Sequence, residues 1–392
     1  MKYAEHTISQ KEDYMMDLKA LVTRVLEGNV IVSDSGIRLH TPDGQGHYRA
    51  LWTRDYHYQI DDAGELMPPE EIRDCLEYTF SHARPEDGWM PDRVDEHGIA
   101  LYAAGSFDAT GAGLANLDDN AFAVLSTEVY LRYVSDDEGK AFVNKWMDTL
   151  VRAMRATPVG ENGLVYNDPE KPHSPYGFTD IICKTGYECF TSLLHWKACK
   201  VLASWGVKEF EASAKKIEQS FEATFFPDGR ILPLAATIDC RKTDIWASCY
   251  ALACDFPFSD ERKNEMRKAL VEQYDGIVQN GQLRHMPAGE YWDRFFCYTK
   301  ADGTVQYINV EPGTYQNGAF YATPAKWLVM ALYPYDKKLA ERVVADLKVD
   351  FETGGCCECI NGLDYRKLPD FVPSATAAYG AEKYLIAHRS EI

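Results

Sequence analysis

The sequence predicts an all-α protein in which six helical hairpins curl into a closed toroid, the (α/α)6 barrel. Three observations lead to this prediction. Apolar residues recur at spacings of three and four in about a dozen segments, which is typical of amphipathic helices. Almost no segment alternates apolar and polar residues as a half-buried strand does. Short polar turns alternate with long loops, as they would if paired helices returned repeatedly to one face of a ring.

The predicted helices follow one another along the whole chain. Their apolar stripes occupy residues 18–26, a short segment after Asp55, and residues 72–80, 121–131, 142–154, 187–202, 210–225, 245–253, 266–274, 327–332, 339–347 and 375–386. This helix content lies far above the roughly one-third of residues that is average for globular proteins. We therefore expect a mostly helical chain.

Two kinds of connection separate these helices. Polar turns at 135–138 and 256–259 suit antiparallel neighbours. Four long connections rich in Gly, Pro and aromatic residues occupy 87–117, 158–185, 276–318 and 351–373. Loops of that length inside a compact domain are usually functional. No charge run, low-complexity segment or linker divides the chain, so we expect one catalytic domain over residues 1–392.

The composition narrows the classes of function. The chain has 392 residues, of which 46% are hydrophobic and 26% charged, and its formal net charge is −19. Such a charge repels nucleic acid and anionic membrane surfaces. The start of the chain lacks the apolar core of a signal peptide, and no stretch approaches the roughly 18 apolar residues of a spanning helix. We expect a cytoplasmic monomer or small homo-oligomer with no nucleic-acid or membrane partner.

The cysteines indicate reduced thiols rather than a metal site. Eleven cysteines are scattered through the chain, and Cys356-Cys357-Glu358-Cys359 has neither a second cluster nor a nearby histidine to complete a tetrahedral site. The sequence also lacks a phosphate-binding loop, a dinucleotide fingerprint, a zinc-protease helix and a serine-hydrolase elbow. No metal and no organic cofactor is therefore expected.

Aromatic side chains are abundant, at 12% of residues, beside 60 acidic residues. Tyr and Trp combine apolar area with a polar tip, so this composition suits a pocket that stacks on sugar rings and hydrogen-bonds their hydroxyls. An aromatic-rich core explains the composition equally well. The order of motifs along the chain favours the pocket.

Four segments carry a resemblance to a known family. They are Trp52-Thr53-Arg54-Asp55, Asp87-Gly88-Trp89-Met90-Pro91, Tyr315-Gln316-Asn317-Gly318, and residues 355–361 followed by Ser374-Ala375. These segments resemble four motifs of the six-hairpin glycosidases, in the same order along the chain. The first resembles the Trp-x-Arg-Asp signature and the second the loop near the terminal sugar. The third resembles the Gly-rich helix start that caps the site, and the fourth the segment that carries the catalytic base. The likeness is greatest to glycoside hydrolase family 63, which includes mannosylglycerate hydrolase, and to the trehalase-like enzymes. The resemblance covers most of the chain.

This resemblance implies two catalytic carboxyls. Glu358 matches the family's base, and it lies in an apolar, Gly-flanked loop of the kind that enzymes use for acid and base groups. Asp180 matches the general acid of the family's Ser-Gly-x-Asp motif, although one residue is added between the Gly and the Asp. A loop Asp that caps a helix is the alternative interpretation. Asp119 and Glu311 stay open as substitutes for one member of the pair.

Further residues are expected to hold the sugar. Arg54 and Asp55 are adjacent, so each can orient the other while the carboxylate accepts two hydroxyls, although Asp55 could also be a helix N-cap. Asp118 and Asp119 open a helix, where two acids shift each other's pKa. The predicted substrate-binding residues are Trp52, Arg54, Asp55, Trp89, Asp119, Tyr176, Lys184, Trp246, Trp292, Tyr315, Gln316 and Asn317.

The sequence thus predicts an inverting, exo-acting glycoside hydrolase that removes a terminal α-linked hexose from a small oligosaccharide or glycoside. Two alternatives stay open. N-acylglucosamine 2-epimerases share the toroid and use paired histidines, for which His173, His195 and His285 are available. A non-catalytic carbohydrate-binding protein would keep the aromatic cavity but leave Asp180 or Glu358 salt-bridged and out of reach of a sugar.

Overall fold

The computed structural model of the protein describes residues 16–43, 46–105, 113–299 and 304–389. The N-terminal stretch, on which the expectation of no signal peptide depends, lies outside these residues. Among the helices of the described ranges, none combines the length and the apolar character that crossing a bilayer requires.

Thirteen helices occupy the described residues. They are α1 (Leu18–Gly28), α2 (Thr53–Ala63), α3 (Pro69–Ser81), α4 (Asp119–Tyr130), α5 (Asp136–Ala156), α6 (Cys189–Ser204), α7 (Lys208–Phe225), α8 (Ile245–Ala253), α9 (Asp260–Glu272), α10 (Tyr274–Ile277), α11 (Ala325–Leu332), α12 (Lys337–Gly354) and α13 (Val372–His388). Each of the twelve predicted segments coincides with one of these helices. Only the four-residue α10 has no predicted counterpart.

Six of the helices form a closed inner ring. α2, α4, α6, α8 and α11 each pack on the next helix of this series, α11 packs on α13, and α13 packs back on α2. The outer helices flank this ring, with α1 on α13, α3 and α5 on α4, α7 on α6, α9 on α8 and α11, and α12 on α11 and α13. Inner and outer helices alternate along the chain, apart from the short α10. This is the (α/α)6 toroid that the sequence predicts.

Burial explains which helices are inner and which are outer. Residues 245–252 of α8 are all buried, because an inner helix is covered on every side and its apolar residues surround the helix axis. The outer helix α7 buries one stripe instead. Its buried residues follow at spacings of three and four, namely Phe210, Ala214, Ile217, Phe221 and Phe225. The apolar spacing that predicted α7 is therefore the face that packs on the ring.

Fourteen short strands lie in the connections of the described chain. They are β1 (Val30–Val32), β2 (Arg38–His40), β3 (Leu51–Trp52), β4 (Arg93–Val94), β5 (Ala100–Leu101), β6 (Tyr166–Asn167), β7 (Gly186–Tyr187), β8 (Val278–Gln279), β9 (Gln282–Arg284), β10 (Cys297–Thr299), β11 (Val305–Tyr307), β12 (Phe320–Tyr321), β13 (Cys359–Asn361) and β14 (Tyr365–Lys367). Runs of two or three residues show no alternation, so the sequence does not predict them. The largest sheet has the order β14-β13-β12-β9-β8.

Two of these connections place site residues directly. The β3–β4 pairing sets Trp52 opposite Arg93, just before α2 begins. The antiparallel β13–β14 hairpin sets Cys359 opposite Lys367, so the residue before β13, Glu358, lies beside the end of β14. α13 then starts at Val372 and completes the ring. The long loops thereby bring residues that are far apart in sequence to the same end of the inner ring.

Candidate active site

A cavity opens at this end of the ring. Three carboxyls from distant segments meet in it, those of Asp55, Asp180 and Glu358. The complete lining is Tyr48, Trp52, Arg54, Asp55, Gly177, Phe178, Asp180, Tyr315, Gln316, Glu358 and Phe371. The structure thus brings seven of the residues that the sequence analysis selected into one place. We call this space the inner cavity.

Asp180 follows a 3-10 turn formed by residues 177–179. Burial raises the pKa of its carboxyl to about 7, and both the Arg54 guanidinium and a hydrogen bond from Gln316 oppose that rise. The Gln316 amide donates from Nε2 to Oδ1 of Asp180 over 2.6 Å. A carboxyl with this pKa carries a proton up to neutral pH, which is the condition for a general acid.

Asp55 lies within the first turn of α2 rather than at its N-cap. The helix begins at Thr53, and Trp52 is the capping residue, so the N-cap interpretation of Asp55 is wrong. Burial raises the pKa of the Asp55 carboxyl to about 8, although the neighbouring Arg54 guanidinium opposes the rise. The ion pair between Arg54 and Asp55 is long, at 3.9 Å. The two residues therefore do not hold each other closely, contrary to the prediction.

Arg54 is instead bound to two acids beneath the inner cavity. Its Nη2 donates to Asp92 Oδ1, and its Nε donates to Asp118 Oδ2 over 3.3 Å. Asp92 also accepts hydrogen bonds from Arg93 and Asn116, and both Asp92 and Asp118 are fully buried. Asp92 could not be selected from the sequence, because an Asp that follows a Pro-containing loop gives no signal of its buried partner.

Gly177 ties this network to the segment that carries Asp180. Its N–H donates to Asp118 Oδ2 over 2.8 Å. A Cβ at position 177 would lie only 1.3 Å from Arg54 Nε, so only glycine allows this close approach. The buried Arg54–Asp118 pair thereby fixes the turn from which Asp180 enters the inner cavity.

Both oxygens of Glu358 have partners. The Tyr48 hydroxyl donates to Oε1 over 2.9 Å, and the Lys367 ammonium lies 3.0 Å from Oε2. Tyr48 also shares a hydrogen bond with the Tyr315 hydroxyl, at 3.1 Å. Glu358 is 2% exposed but lines the inner cavity. A non-catalytic binding protein would have Glu358 salt-bridged and out of reach of a sugar. The salt bridge to Lys367 is present, but Glu358 still lines the inner cavity.

A wider chamber adjoins the inner cavity and shares Tyr48, Trp52, Asp180 and Tyr315 with it. We call this space the outer chamber. Its remaining lining includes the basic residues His47, Arg49, Arg93 and Lys367. Asp180 therefore stands at the boundary between the smaller inner cavity and the larger outer chamber.

Seven predicted substrate-binding residues do not line the inner cavity. They are Trp89, Asp119, Tyr176, Lys184, Trp246, Trp292 and Asn317. The four aromatic ones are packed in its surroundings. Trp89 stacks on His173 and Tyr176 on Phe190, with ring centroids 4.9 and 4.1 Å apart. Trp246 stacks on His285, and Trp292 donates from Nε1 to the main-chain oxygen of Gln316.

The three polar residues of this group are also held inside the protein. Lys184 is 1% exposed and lies 3.9 Å from Glu188, and Asn317 accepts the N–H of Trp292. Asp119 is fully buried, and burial together with Asp118 raises its pKa well above the ordinary range. The predicted effect of one acid on the other is thus observed. Glu311, the other substitute for the base, is exposed to solvent.

The histidines do not form the pair that an epimerase uses. His195 is buried within α6, where burial lowers its pKa to about 4. His173 and His285 each stack on a tryptophan. In the described part of the chain, no histidine lines the inner cavity. The geometry therefore favours carboxyl chemistry over imidazole chemistry at this position.

The cysteine cluster around Glu358 contains free thiols, and all eleven cysteines of the chain are unpaired. Across residues 16–43, 46–105, 113–299 and 304–389, no three His, Cys, Asp or Glu side chains are placed to hold one metal ion.

The fold matches solved glycosidases. GH63 mannosylglycerate hydrolase from Thermus thermophilus, in complex with glucose, aligns with a TM-score of 0.66 and 15% identity over 93% of this chain and 99% of that one. Glucoamylase from Saccharomycopsis fibuligera aligns with a TM-score of 0.61 and 11% identity over 96% of each chain. A rhamnosidase from Klebsiella oxytoca with rhamnose bound aligns with a TM-score of 0.60 and 12% identity, over 94% of this chain and 63% of that one.

These likenesses confirm the predicted (α/α)6 fold, which this chain shares with the six-hairpin glycosidases. No protein-family model matches the sequence. No curated protein matches it either.

Proposed function

We propose that the protein is an inverting, exo-acting glycoside hydrolase that removes a terminal α-linked hexose from a small glycoside. One observation carries this proposal: Asp180 and Glu358 line the same small cavity in opposite chemical settings. Asp180 keeps a proton up to about pH 7, whereas Glu358 faces the Lys367 ammonium. Inverting glycosidases need such a pair, one carboxylic acid and one carboxylate. The glycosidases with the same fold support the assignment.

In the proposed reaction Asp180 donates its proton to the glycosidic oxygen as the bond from that oxygen to the anomeric carbon breaks. Glu358 takes a proton from a water molecule, whose oxygen forms the new bond on the opposite face of the sugar. Asp180 ends as a carboxylate and Glu358 as a carboxylic acid, and exchange with solvent restores both. Room for the water requires the two carboxyls to lie roughly 6.5–9.5 Å apart.

The inner cavity is suited to a single sugar ring. The long ion pair of Asp55 with Arg54 leaves the Asp55 carboxyl available for sugar hydroxyls, and Trp52, Phe178 and Phe371 offer apolar faces. Because the cavity is small and lined on several sides by aromatic rings, it favours the end of a chain over its middle. This supports exo action and a hexose of ordinary size.

The outer chamber supports an acidic leaving group. Asp180 lines both spaces, so a glycosidic oxygen beside it would direct the leaving group into the outer chamber. Three of the four basic residues in that chamber, Arg49, Arg93 and Lys367, pair with Glu96, Asp92 and Glu358, and their remaining N–H groups can donate to a carboxylate or another anion. The Thermus thermophilus mannosylglycerate hydrolase, which has the same fold, was solved with Tris and D-glycerate. We infer that a small hydroxy acid is the leaving group here.

A substrate screen with two matched variants tests the proposal. Wild-type protein, Asp180→Asn and Glu358→Gln would be incubated with p-nitrophenyl α- and β-glycosides, neutral disaccharides and α-hexosides of hydroxy acids. We expect the wild type to hydrolyse the hexosides of hydroxy acids fastest. Glu358→Gln should lower kcat by about 100-fold or more while the fold stays intact, because it removes the base. Absence of hydrolysis across the screen would contradict the proposal.

A further inference from the structure

Gln316 contacts the catalytic acid rather than being free for the substrate. It is 1% exposed, and both ends of its side-chain amide are engaged by the segment that carries Asp180. Nε2 donates to Asp180 Oδ1 over 2.6 Å, and Oε1 accepts the N–H of Ile181 over 3.2 Å. These two bonds use one N–H and one lone pair of the amide, so only the remaining N–H and lone pair of Gln316 are left for a sugar hydroxyl in the inner cavity.

The orientation of this amide is fixed by its neighbours. A main-chain N–H can only donate, so the Ile181 N–H must face Oε1 of Gln316, and Nε2 must then face Asp180. Gln316 is itself anchored, because the indole Nε1 of Trp292 donates to its main-chain oxygen over 2.9 Å. The Nε2 group of Gln316 that donates to Asp180 is therefore fixed by the Ile181 N–H at the side-chain amide and by Trp292 at the main chain.

This contact has a chemical consequence for the acid. The carbonyl oxygen of a carboxylic acid accepts hydrogen bonds better than its hydroxyl oxygen, so the donor at Oδ1 of Asp180 favours the proton on Oδ2. After the proton leaves, the same N–H stabilises the carboxylate, since a hydrogen bond to the charged form favours that form. The Gln316 contact thus acts both on the placement of the proton and on the ease of its transfer.

We propose that Gln316 is a positioning residue that fixes Oδ2 of Asp180 as the proton-bearing oxygen and stabilises the carboxylate left after transfer. The role rests on the proposed function, because it takes Asp180 to be the general acid. Other ionisable groups also act on Asp180 and stay in place in the variants below. They are the Arg54 guanidinium, the carboxyls of Asp55, Asp92, Asp118 and Asp119, and the Tyr315 phenol.

Two variants remove the donor in different ways. Gln316→Met removes the donor and the acceptor and adds no charge. Gln316→Glu keeps the shape of the side chain and an oxygen for Ile181, but sets a second carboxyl against Asp180, where the two would share one proton. Gln282→Met is the matched control, because Gln282 is a fully buried residue that donates to Asp350 Oδ2 over 2.8 Å and does not line either cavity.

The first measurement is a carbon-13 NMR titration of aspartate-labelled protein, with Asp180→Asn to assign the resonance. We expect the pKa of Asp180 to be higher in Gln316→Met than in wild type by about one pH unit, and higher still in Gln316→Glu. The control should titrate like wild type. If Gln316→Met does not fold, the isosteric Gln316→Glu still gives the answer. An unchanged titration in a folded variant would overturn the proposal.

The second measurement is the pH dependence of kcat/KM on the substrates of the screen. The upper limb of the profile should move to higher pH with the titration, while kcat falls about tenfold and the KM changes less. A lower rate with an unmoved upper limb would make Gln316 merely structural. The titration does not depend on turnover, so the two proposals fail separately. A shifted titration without hydrolysis of any glycoside would support the effect of Gln316 on the Asp180 proton and refute the proposed function.

Discussion

The ammonium of Lys367 lies 3.0 Å from Oε2 of Glu358 and 3.5 Å above the ring of Tyr315. The same lysine's main-chain oxygen accepts the N–H of Glu358 over 2.8 Å, so the β13–β14 hairpin holds the carboxylate and its cation together. A neighbouring cation favours the ionised form of a carboxyl. Asp180, the proposed acid, has a neutral partner in Gln316, whereas Glu358, the proposed base, has a charged one.

We therefore predict that Lys367→Met slows the reaction through the base. Without the cation the buried Glu358 carboxylate loses its charged partner, so kcat should fall about tenfold. Lys367→Arg keeps the charge and should restore most of the rate. Lys348→Met is the control, since it breaks a Lys–Glu pair with Glu382 between α12 and α13. Equal kcat values for the Lys367→Met and Lys348→Met variants would show that Lys367 has no such role.

Asp180→Asn should act selectively on the leaving group. A poor leaving group needs the proton of the acid, whereas an activated aryl group departs with little protonation. We expect the variant to lose far more rate on sugars and hydroxy-acid glycosides than on nitrophenyl glycosides, and to lose the upper limb of the pH profile near pH 7. An equal loss on both substrate types, with the profile unchanged, would make Asp180 a binding residue.

Asp55→Asn should stabilise the protein at neutral and alkaline pH. The pKa of Asp55 rises from its ordinary value of 3.8 to about 8 on folding, so the folded state holds the proton that the unfolded state loses. The contribution of Asp55 to the free energy of unfolding is therefore greatest below about pH 4. It falls as the pH rises from about 4 to about 8, by at most ~1.4 kcal/mol for each pH unit. The asparagine avoids this loss.

Thermal unfolding at pH 5, 6, 7 and 8 tests this expectation. The advantage of Asp55→Asn over wild type should grow with pH, while activity falls because a group for sugar hydroxyls has been altered. Asp148→Asn, at an exposed position of α5, serves as the control. An advantage that is constant with pH would show that Asp55 is not buried as a neutral carboxyl.

Gly177→Ala should damage both stability and activity. The new Cβ would overlap the Arg54 side chain, so the turn before Asp180 or the buried Arg54–Asp118 pair must move. We expect the free energy of unfolding to fall by about 3 kcal/mol or more, measured in urea. Gly28→Ala is the matched control, because that glycine is exposed and has no heavy atom within 4 Å of its added Cβ. A Gly177→Ala variant as stable as this control would contradict the described packing.

The helical ring could be predicted because its signal is local. The spacing of the apolar residues in α7 depends only on which face of that helix is buried, and the same holds for the other helices. The motif residues Asp55, Asp180 and Glu358 could be selected in the same way, since each lies in a segment with a recognisable pattern. The structure places all three in one cavity.

The partners of these carboxyls could not be predicted, because they depend on how the loops pack. Tyr48 and Lys367 lie 310 and 9 positions from Glu358, and neither belongs to a motif. Trp89 and Trp292 illustrate the opposite error. A tryptophan in a long loop can stack on a sugar or complete the wall of a site, and both residues here are buried against protein groups. Sequence spacing does not distinguish the two outcomes.

The most direct test of the acid–base account is the anomer that the enzyme releases first. Proton NMR during hydrolysis of an α-hexoside would follow the anomeric signals before mutarotation mixes them. Because Glu358 would direct water to the face opposite the leaving group, the account predicts the β-hexose as the first product. Release of the α-hexose would contradict it, since retention requires a nucleophilic carboxylate and two carboxyls only about 5–5.5 Å apart.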